Sequence, residues 1–128
     1  AGLSPLRPAL SARAAGRIVS KEIERCINQR RSFAIESTLS GRTYTSIFKN
    51  LLTKGYALEI LFLKIDDPKI CIRRVAERVK QGGHHIPEHE ILRRHARGWK
   101  NFNSMYRELA TNTWVFDASG PIPVLLEQ

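Results

Sequence analysis

The chain has 128 residues, of which 42% are hydrophobic and 26% charged, and these values are typical of one globular domain. Lys and Arg number 21 against 12 Asp and Glu, which gives a formal net charge of +9 and favours anionic partners. No apolar run approaches the roughly 18 residues of a membrane span. The first residues also lack the apolar core of a signal peptide. We therefore predict a cytoplasmic protein without a membrane partner.

The cysteines and histidines do not form a recognisable metal or disulfide pattern. Cys26 and Cys71 stand alone, without CxxC or Cys/His spacing. His85 and His89 are four residues apart, but Pro87 lies between them and the HExxH pattern is absent. We predict neither a disulfide nor a metal site.

The first half of the chain alternates between helical and strand-like patterns. Apolar positions at helical spacing predict an amphipathic helix over residues 10–29. Residues 32–36 form a short apolar run that predicts a buried strand. A second helix is predicted over 44–52, ending at the cationic and glycine residues 54–55. Residues 56–65 are apolar enough to predict a strand that is covered on both faces.

The second half continues the alternation. Asp-Asp-Pro at 66–68 predicts the start of a helix that ends at Gly82-Gly83. A further helix is predicted from residue 86 to Trp99, a helical segment over 101–109, a last strand over 113–117, and a tail or edge piece over 121–128. This order predicts an α/β fold with a parallel sheet flanked by helices. Three strands are few for such a sheet, so part of it is expected to be missing.

Polar residues are predicted to meet where the strands end. In open parallel sheets, ligands bind beyond the carboxyl ends of the strands, which places Glu36 and Thr38 near Asp66 and Asp67. Glu36 is suited to accept a hydrogen bond from a substrate hydroxyl or to act as a base. The alternative is a strand-end acid that forms an ion pair with Arg42.

A basic stretch over residues 73–97 reads RRVAERVKQGGHHIPEHEILRRHAR. It combines two basic segments of helical character with a Gly-Gly joint. Two such helices that pivot about a flexible joint are suited to close over an anionic group such as phosphate. The alternative is a solvated basic hairpin. No GxxxxGK[ST] or GxGxxG phosphate loop occurs in the chain.

The strings SFAIESTLSGRTY, ALEILFLKI, RVAERVKQGGHHIPEHEILRRHARGWKN and TWVFDASGP together resemble the carboxyl-terminal two-thirds of zeta-toxin-like P-loop kinases. The resemblance covers nearly the whole chain. It implies that residues 1–128 are a fragment of one incomplete P-loop kinase-like domain, in which residues 73–100 form a helical lid. Members of this family transfer the γ-phosphoryl group of ATP to a sugar nucleotide, typically UDP-N-acetylglucosamine.

The resemblance also implies roles for individual residues. Arg78 and one of Arg93 or Arg94 would be the catalytic lid arginines that neutralise the transferring phosphoryl group. Glu36 and Thr38, at the family's E-x-T position, would bind the substrate together with Arg42. ATP and Mg²⁺ are the implied cofactors, and an antitoxin is an implied partner.

The family's Walker A loop and its catalytic aspartate would lie upstream of Ala1. The chain as it stands is therefore expected not to be a competent kinase and to bind ATP only weakly. Asp66 or Asp67 is a poor substitute for the base, because both follow a different strand from the one that carries the family's aspartate. Two alternatives stay open. One is a non-catalytic anion-binding remnant that forms a homo-oligomer through unpaired strand edges. The other is a basic nucleic-acid-binding module, which the lack of aromatic residues among the basic ones disfavours.

Overall fold

A computed structural model describes the backbone of residues 8–128 and the side chains of residues 16–128. The chain divides into two compact units, Ala1–Glu36 and Ser37–Gln128. Among the described helices, none combines the length and the apolar character that crossing a membrane requires.

The first unit contains one long helix, α1 (Pro8–Asn28), as the sequence predicts. The chain then turns at Arg30, whose φ is +52°, and the Arg31 amide donates to the carbonyl of Cys26 at 2.9 Å. Residues 31–36 form neither helix nor strand. The predicted strand over 32–36 is therefore wrong, because an apolar run becomes a strand only where a neighbouring strand pairs with its backbone. The described sheet is built from other segments.

The second unit contains the remaining helices and all strands of the described chain. In chain order these elements are α2 (Thr43–Thr53), β1 (Glu59–Lys64), α3 (Pro68–Lys80), α4 (Glu88–Asn101), a π-helical turn (Phe102–Tyr106), α5 (Arg107–Leu109), β2 (Asn112–Asp117) and β3 (Val124–Glu127). The predicted helices at 44–52, from Pro68 to the Gly-Gly pair, and from 86 through 109 are confirmed.

Local hydrogen bonds fix both ends of α3. The Asp67 side chain accepts a hydrogen bond from the Lys69 amide at 2.9 Å, with Pro68 in the first helical position. At the other end Gly82 has a φ of +85°, and the Gly83 amide donates to the Arg78 carbonyl at 2.7 Å. This arrangement is a Schellman motif, which ends the helix in a defined geometry. The Gly-Gly pair is thus a specific helix terminus in this structure.

The sheet has the order β1-β2-β3 and is mixed. β1 and β2 are parallel, with Leu61 opposite Trp114, as predicted for strands joined through a helical crossover. β3 is antiparallel to β2, because the short connection over residues 118–123 leaves no room for a crossover. The expectation of a purely parallel sheet is therefore wrong, while the 121–128 segment does supply an edge strand.

One face of the sheet is covered by α4 and the π-helical turn. Ile60 and Val115 point to this face and are 8% and 2% exposed. The ring of Phe62 stacks on that of Phe102 with centroids 4.6 Å apart, and it lies 5.3 Å from Trp99. The core of the second unit therefore lies between β1, β2 and the carboxyl-terminal half of the helical segment.

The opposite face of the sheet is exposed. Leu61 and Leu63 of β1 are 62% and 59% exposed, and Leu125 of β3, which pairs with Phe116 on the same face, is 49% exposed. The prediction that the segment over 56–65 is covered on both sides is therefore wrong within the described chain. β1 also pairs on one side only, so its second edge is open in the described sheet.

Candidate functional site

The basic stretch forms a helical hairpin in which α3 packs against α4. Arg78 lies in the last turn of α3 and is exposed. No acidic side chain among residues 16–128 forms an ion pair with Arg78. The Schellman motif, whose hydrogen bond ends on the backbone carbonyl of Arg78 itself, fixes the position of this residue at the end of its helix.

Glu90 holds the arginine pair of α4. Its carboxylate accepts a hydrogen bond from Arg93 at 2.6 Å and lies 3.5 Å from Nε of Arg94. The hydrogen bond from Arg93 is the main cause that lowers the pKa of Glu90, and the charge of Arg94 adds to it. The Arg93 and Arg94 side chains remain nearly half exposed, at 44% and 41%. They are therefore held side by side while still open to an anion from solution.

Glu90 was missed in the interpretation of the sequence. Its position three residues before Arg93 and four before Arg94 puts all three side chains on one face of the helix, which is the only sequence feature that points to it. An anion that binds the two arginines has to compete with this carboxylate.

The aspartates after β1 have structural partners. The Asp66 carboxylate forms an ion pair with the Lys64 ammonium at 2.8 Å, and this ammonium lies 5.1 Å from the ring centre of Trp99. Asp67 caps α3. Each aspartate therefore has a local structural contact at the junction of β1 and α3.

The loop after β2 is held by α3. The Asp117 carboxylate accepts a hydrogen bond from the Ser119 amide at 2.8 Å, and its hydrogen bonds with Ser119 lower the pKa of Asp117. Arg74 donates to the carbonyls of Ser119 and Gly120 at 3.2 and 3.0 Å. One arginine of the basic stretch is thus committed to the backbone of this loop.

The end of β1 is held by α4 in a similar way. Nε2 of His95 lies 2.6 Å from the carbonyl oxygen of Ile65. The carboxyl ends of the two parallel strands are therefore each tied to one helix of the hairpin.

Thr38 lies in a loop that precedes α2. Its hydroxyl is within 2.9 Å of the Ser40 hydroxyl, and its side chain is exposed. Arg42 is also exposed and occupies the position before the first turn of α2. Both candidate substrate-binding residues thus face solvent in the second unit.

Glu36 is exposed and is the last residue of the first unit. Because residues 32–36 are not a strand, the sheet-edge argument that placed Glu36 beside Asp66 no longer applies. A substrate-binding role for Glu36 stays a prediction that depends on the family resemblance.

The described residues fit Mg²⁺ and the phosphates of ATP poorly. Among residues 16–128 there is no group of three or more metal-ligating side chains, and the sequence contains no GxxxxGK[ST] loop. The cationic side chains of Arg78, Arg93 and Arg94 fit a phosphate group, but they do not provide a nucleotide cradle.

The fold places the chain in the class of mixed α/β proteins, with a three-stranded sheet, flanking helices and a basic helical hairpin. The family comparison identifies it further: residues 8–124 match the family Zeta toxin, and the chain belongs to this family. A relative from Haemophilus influenzae, described as an uncharacterized protein, is 33% identical over 86 residues, which is 67% of this chain and 61% of the relative. The alignment thus spans less than two thirds of that relative. No solved structure matches the chain.

Proposed function

We propose that this chain forms the lid and acceptor-binding part of a kinase that transfers a phosphoryl group to a sugar nucleotide of the UDP-N-acetylglucosamine type. The observation that carries the proposal is the α3–α4 hairpin, which presents the unpaired Arg78 on one helix and the Arg93–Arg94 pair on the other. Membership of the Zeta toxin family suggests a P-loop kinase-like function, dependence on nucleotide and Mg²⁺ in general, and a toxin–antitoxin context.

In this proposal residues 73–100 are the lid. Arg78 and one of Arg93 and Arg94 neutralise charge on the transferring phosphoryl group, which is the main electrostatic requirement of this reaction. An arginine displaced from Glu90 gains a phosphate oxygen as its new partner, and its planar guanidinium suits that geometry. Glu36, Thr38 and Arg42 bind the acceptor.

The proposal places the phosphate-binding loop in another segment of the same protein. The open edge of β1 and the exposed leucines of the sheet face support this, because parallel sheets are stable when both faces are covered and their inner strands paired. An additional strand beside β1, with a helix over Leu61 and Leu63, would supply both. An antitoxin is included among the proposed partners.

Titration calorimetry with Mg-ATP tests this arrangement. The 128-residue chain is expected to bind Mg-ATP no more tightly than about 1 mM, since most phosphate ligands of a kinase are absent from its sequence. We use the term intact protein for a protein that contains these 128 residues together with the proposed phosphate-binding segment. The intact protein is expected to bind Mg-ATP at least about tenfold more tightly. Equal affinities, or micromolar binding by the 128 residues alone, would contradict the proposed division of the site.

A second candidate function is that of a non-catalytic anion-binding protein that self-associates through its strand edges. The open edge of β1 and the exposed edge strand β3 favour it, since unpaired edges are templates for pairing with a second copy. An intact protein that binds inorganic pyrophosphate but not Mg-ATP would favour this candidate over the kinase.

A further inference from the structure

The loop over residues 37–41 is attached to the α4 helix and the π-helical turn that follows it. Nδ2 of Asn101 donates to the carbonyl of Leu39 at 2.9 Å. The hydroxyl of Tyr106 donates to the carbonyl of Gly41 at 2.7 Å. Two side chains of one helical segment therefore satisfy two backbone carbonyls of the loop that carries Thr38.

Gly98 allows this close approach. A Cβ atom at this position would lie 2.5 Å from the carbonyl oxygen of Thr38, closer than any real Cβ contact, and Gly98 is buried. Any side chain there would push the loop away from the helix. A glycine in the middle of a helix lowers helix stability, so its presence is explained by this packing.

The π-helical turn places the donors Asn101 and Tyr106 on the same face of the helix as Gly98. In an uninterrupted α-helix, at about 100° per residue, Tyr106 would lie about 80° around the axis from Gly98. The wider turn at Phe102–Tyr106 accommodates one extra residue and reduces that angle to about 20°. Asn101 lies about 60° from Gly98. The irregular turn thus places all three residues on the face of the helix that meets the loop.

The loop has an unfavourable backbone conformation that these contacts maintain. Leu39 has a φ of +51°, which is uncommon for a residue with a branched side chain. Its side chain is only 9% exposed, and its amide donates to the Ser37 hydroxyl at 3.1 Å. Such conformations persist where the surroundings hold them, and they are frequent at functional sites.

We propose that Asn101 and Tyr106 are positioning residues that fix the 37–41 loop to the lid helix, so that the acceptor-binding Thr38 and the lid arginines keep a constant geometry. This inference rests on the proposed function, because it assigns the loop to the acceptor. We call the hydrogen bonds that Asn101 and Tyr106 donate to this loop the clamp. Weakening the clamp is predicted to loosen the loop and to lower the affinity for the acceptor, whereas the affinity of the lid arginines for inorganic pyrophosphate stays the same.

The test uses three variants and two measurements. Asn101→Asp replaces the donor with a carboxylate that repels the Leu39 carbonyl, and Tyr106→Phe removes only a hydroxyl and keeps the buried ring. Asn103→Asp is the matched control, because Asn103 is exposed on the same turn and donates only to the Trp99 carbonyl within its own helix. Amide hydrogen exchange reports on the loop, and calorimetry reports the affinity of the intact protein for UDP-N-acetylglucosamine and for inorganic pyrophosphate.

Both clamp variants are expected to speed amide exchange over residues 38–43 by about two- to tenfold, the effect of one lost hydrogen bond, with β1 and β2 unchanged. Their affinity for UDP-N-acetylglucosamine is expected to fall by a similar factor, and that for pyrophosphate to stay within about twofold. Unchanged loop exchange, or an equal loss of affinity for both ligands, would overturn the inference. If the wild-type protein binds pyrophosphate but not the sugar nucleotide, the proposed acceptor is wrong, whereas the exchange result alone still decides whether the clamp exists.

Discussion

Replacing Arg93 and Arg94 together by glutamine is expected to weaken the binding of inorganic pyrophosphate about a hundredfold. Each guanidinium is expected to form a charge-assisted hydrogen bond with the anion. We assign it about 1.5 kcal/mol, the lower end of the usual range, because both side chains are nearly half exposed. Two such contacts contribute about 3 kcal/mol, or roughly two powers of ten in affinity. Calorimetry at low ionic strength measures the change.

Two control variants separate the local effect from the overall charge. Arg17→Gln with Arg25→Gln removes the same net charge from exposed positions of α1 and is expected to change the affinity less than about threefold. Glu90→Gln removes the carboxylate that competes with the anion, so it is expected to tighten binding by a few-fold. An equal loss in the α1 double variant and in the Arg93/Arg94 variant would show that only net charge matters.

Substituting Phe102 by alanine is expected to lower the free energy of unfolding of the 128-residue chain by about 3–5 kcal/mol. Phe102 is 0% exposed, and its ring stacks on those of Phe62 and Trp99 with centroids 4.6 and 5.8 Å away. The guanidinium of Arg107 lies 4.8 Å from its ring centre. Urea denaturation followed by tryptophan fluorescence measures the loss.

Leu61→Ala is the control, because it truncates a large apolar side chain of β1 that lies on the exposed face of the sheet. Because Leu61 is 62% exposed, its truncation is expected to change stability by no more than about 0.5 kcal/mol in this chain. If Leu61→Ala lowered the free energy of unfolding as much as Phe102→Ala, the conclusion that this face of the sheet is exposed would be wrong.

Helix positions followed from sequence because their determinants are local. The capping aspartate Asp67 and the glycine at position 82 fix α3 through contacts within a few residues. The apolar spacing over α2 predicted that helix, and the helical connection between β1 and β2 predicted their parallel pairing.

The strands β1 and β2 lie where the sequence predicts them, within residues 56–65 and at 113–117. The predicted strand over 32–36 and the two covered faces of β1 are wrong, because pairing and burial depend on partners distant in the chain. Residues 32–36 have the composition of a strand but lack strand pairing in this structure. The apolar run of β1 predicted two covered faces, yet Leu61 and Leu63 are exposed. A strand pattern records which surfaces are able to be buried, and the partners decide which ones are.

Only part of the candidate site could be predicted from the sequence. Family resemblance singled out Arg78, Arg93 and Arg94, whereas Glu90 and the contacts of Asn101 and Tyr106 came only from the structure. The clamp depends on a π-helical turn and on a close approach at Gly98, and neither has a clear local sequence pattern.

Phosphoryl transfer by the intact protein tests the central proposal most directly. The intact protein, in which these 128 residues are joined to the proposed phosphate-binding segment, would be incubated with Mg-ATP and UDP-N-acetylglucosamine. The products would be separated, and their masses measured by mass spectrometry. We expect the wild type to form a sugar nucleotide that carries one additional phosphate, and Arg78→Ala to form it at least about a hundredfold more slowly. Absence of this product from the wild type, or undiminished transfer by Arg78→Ala, would contradict it.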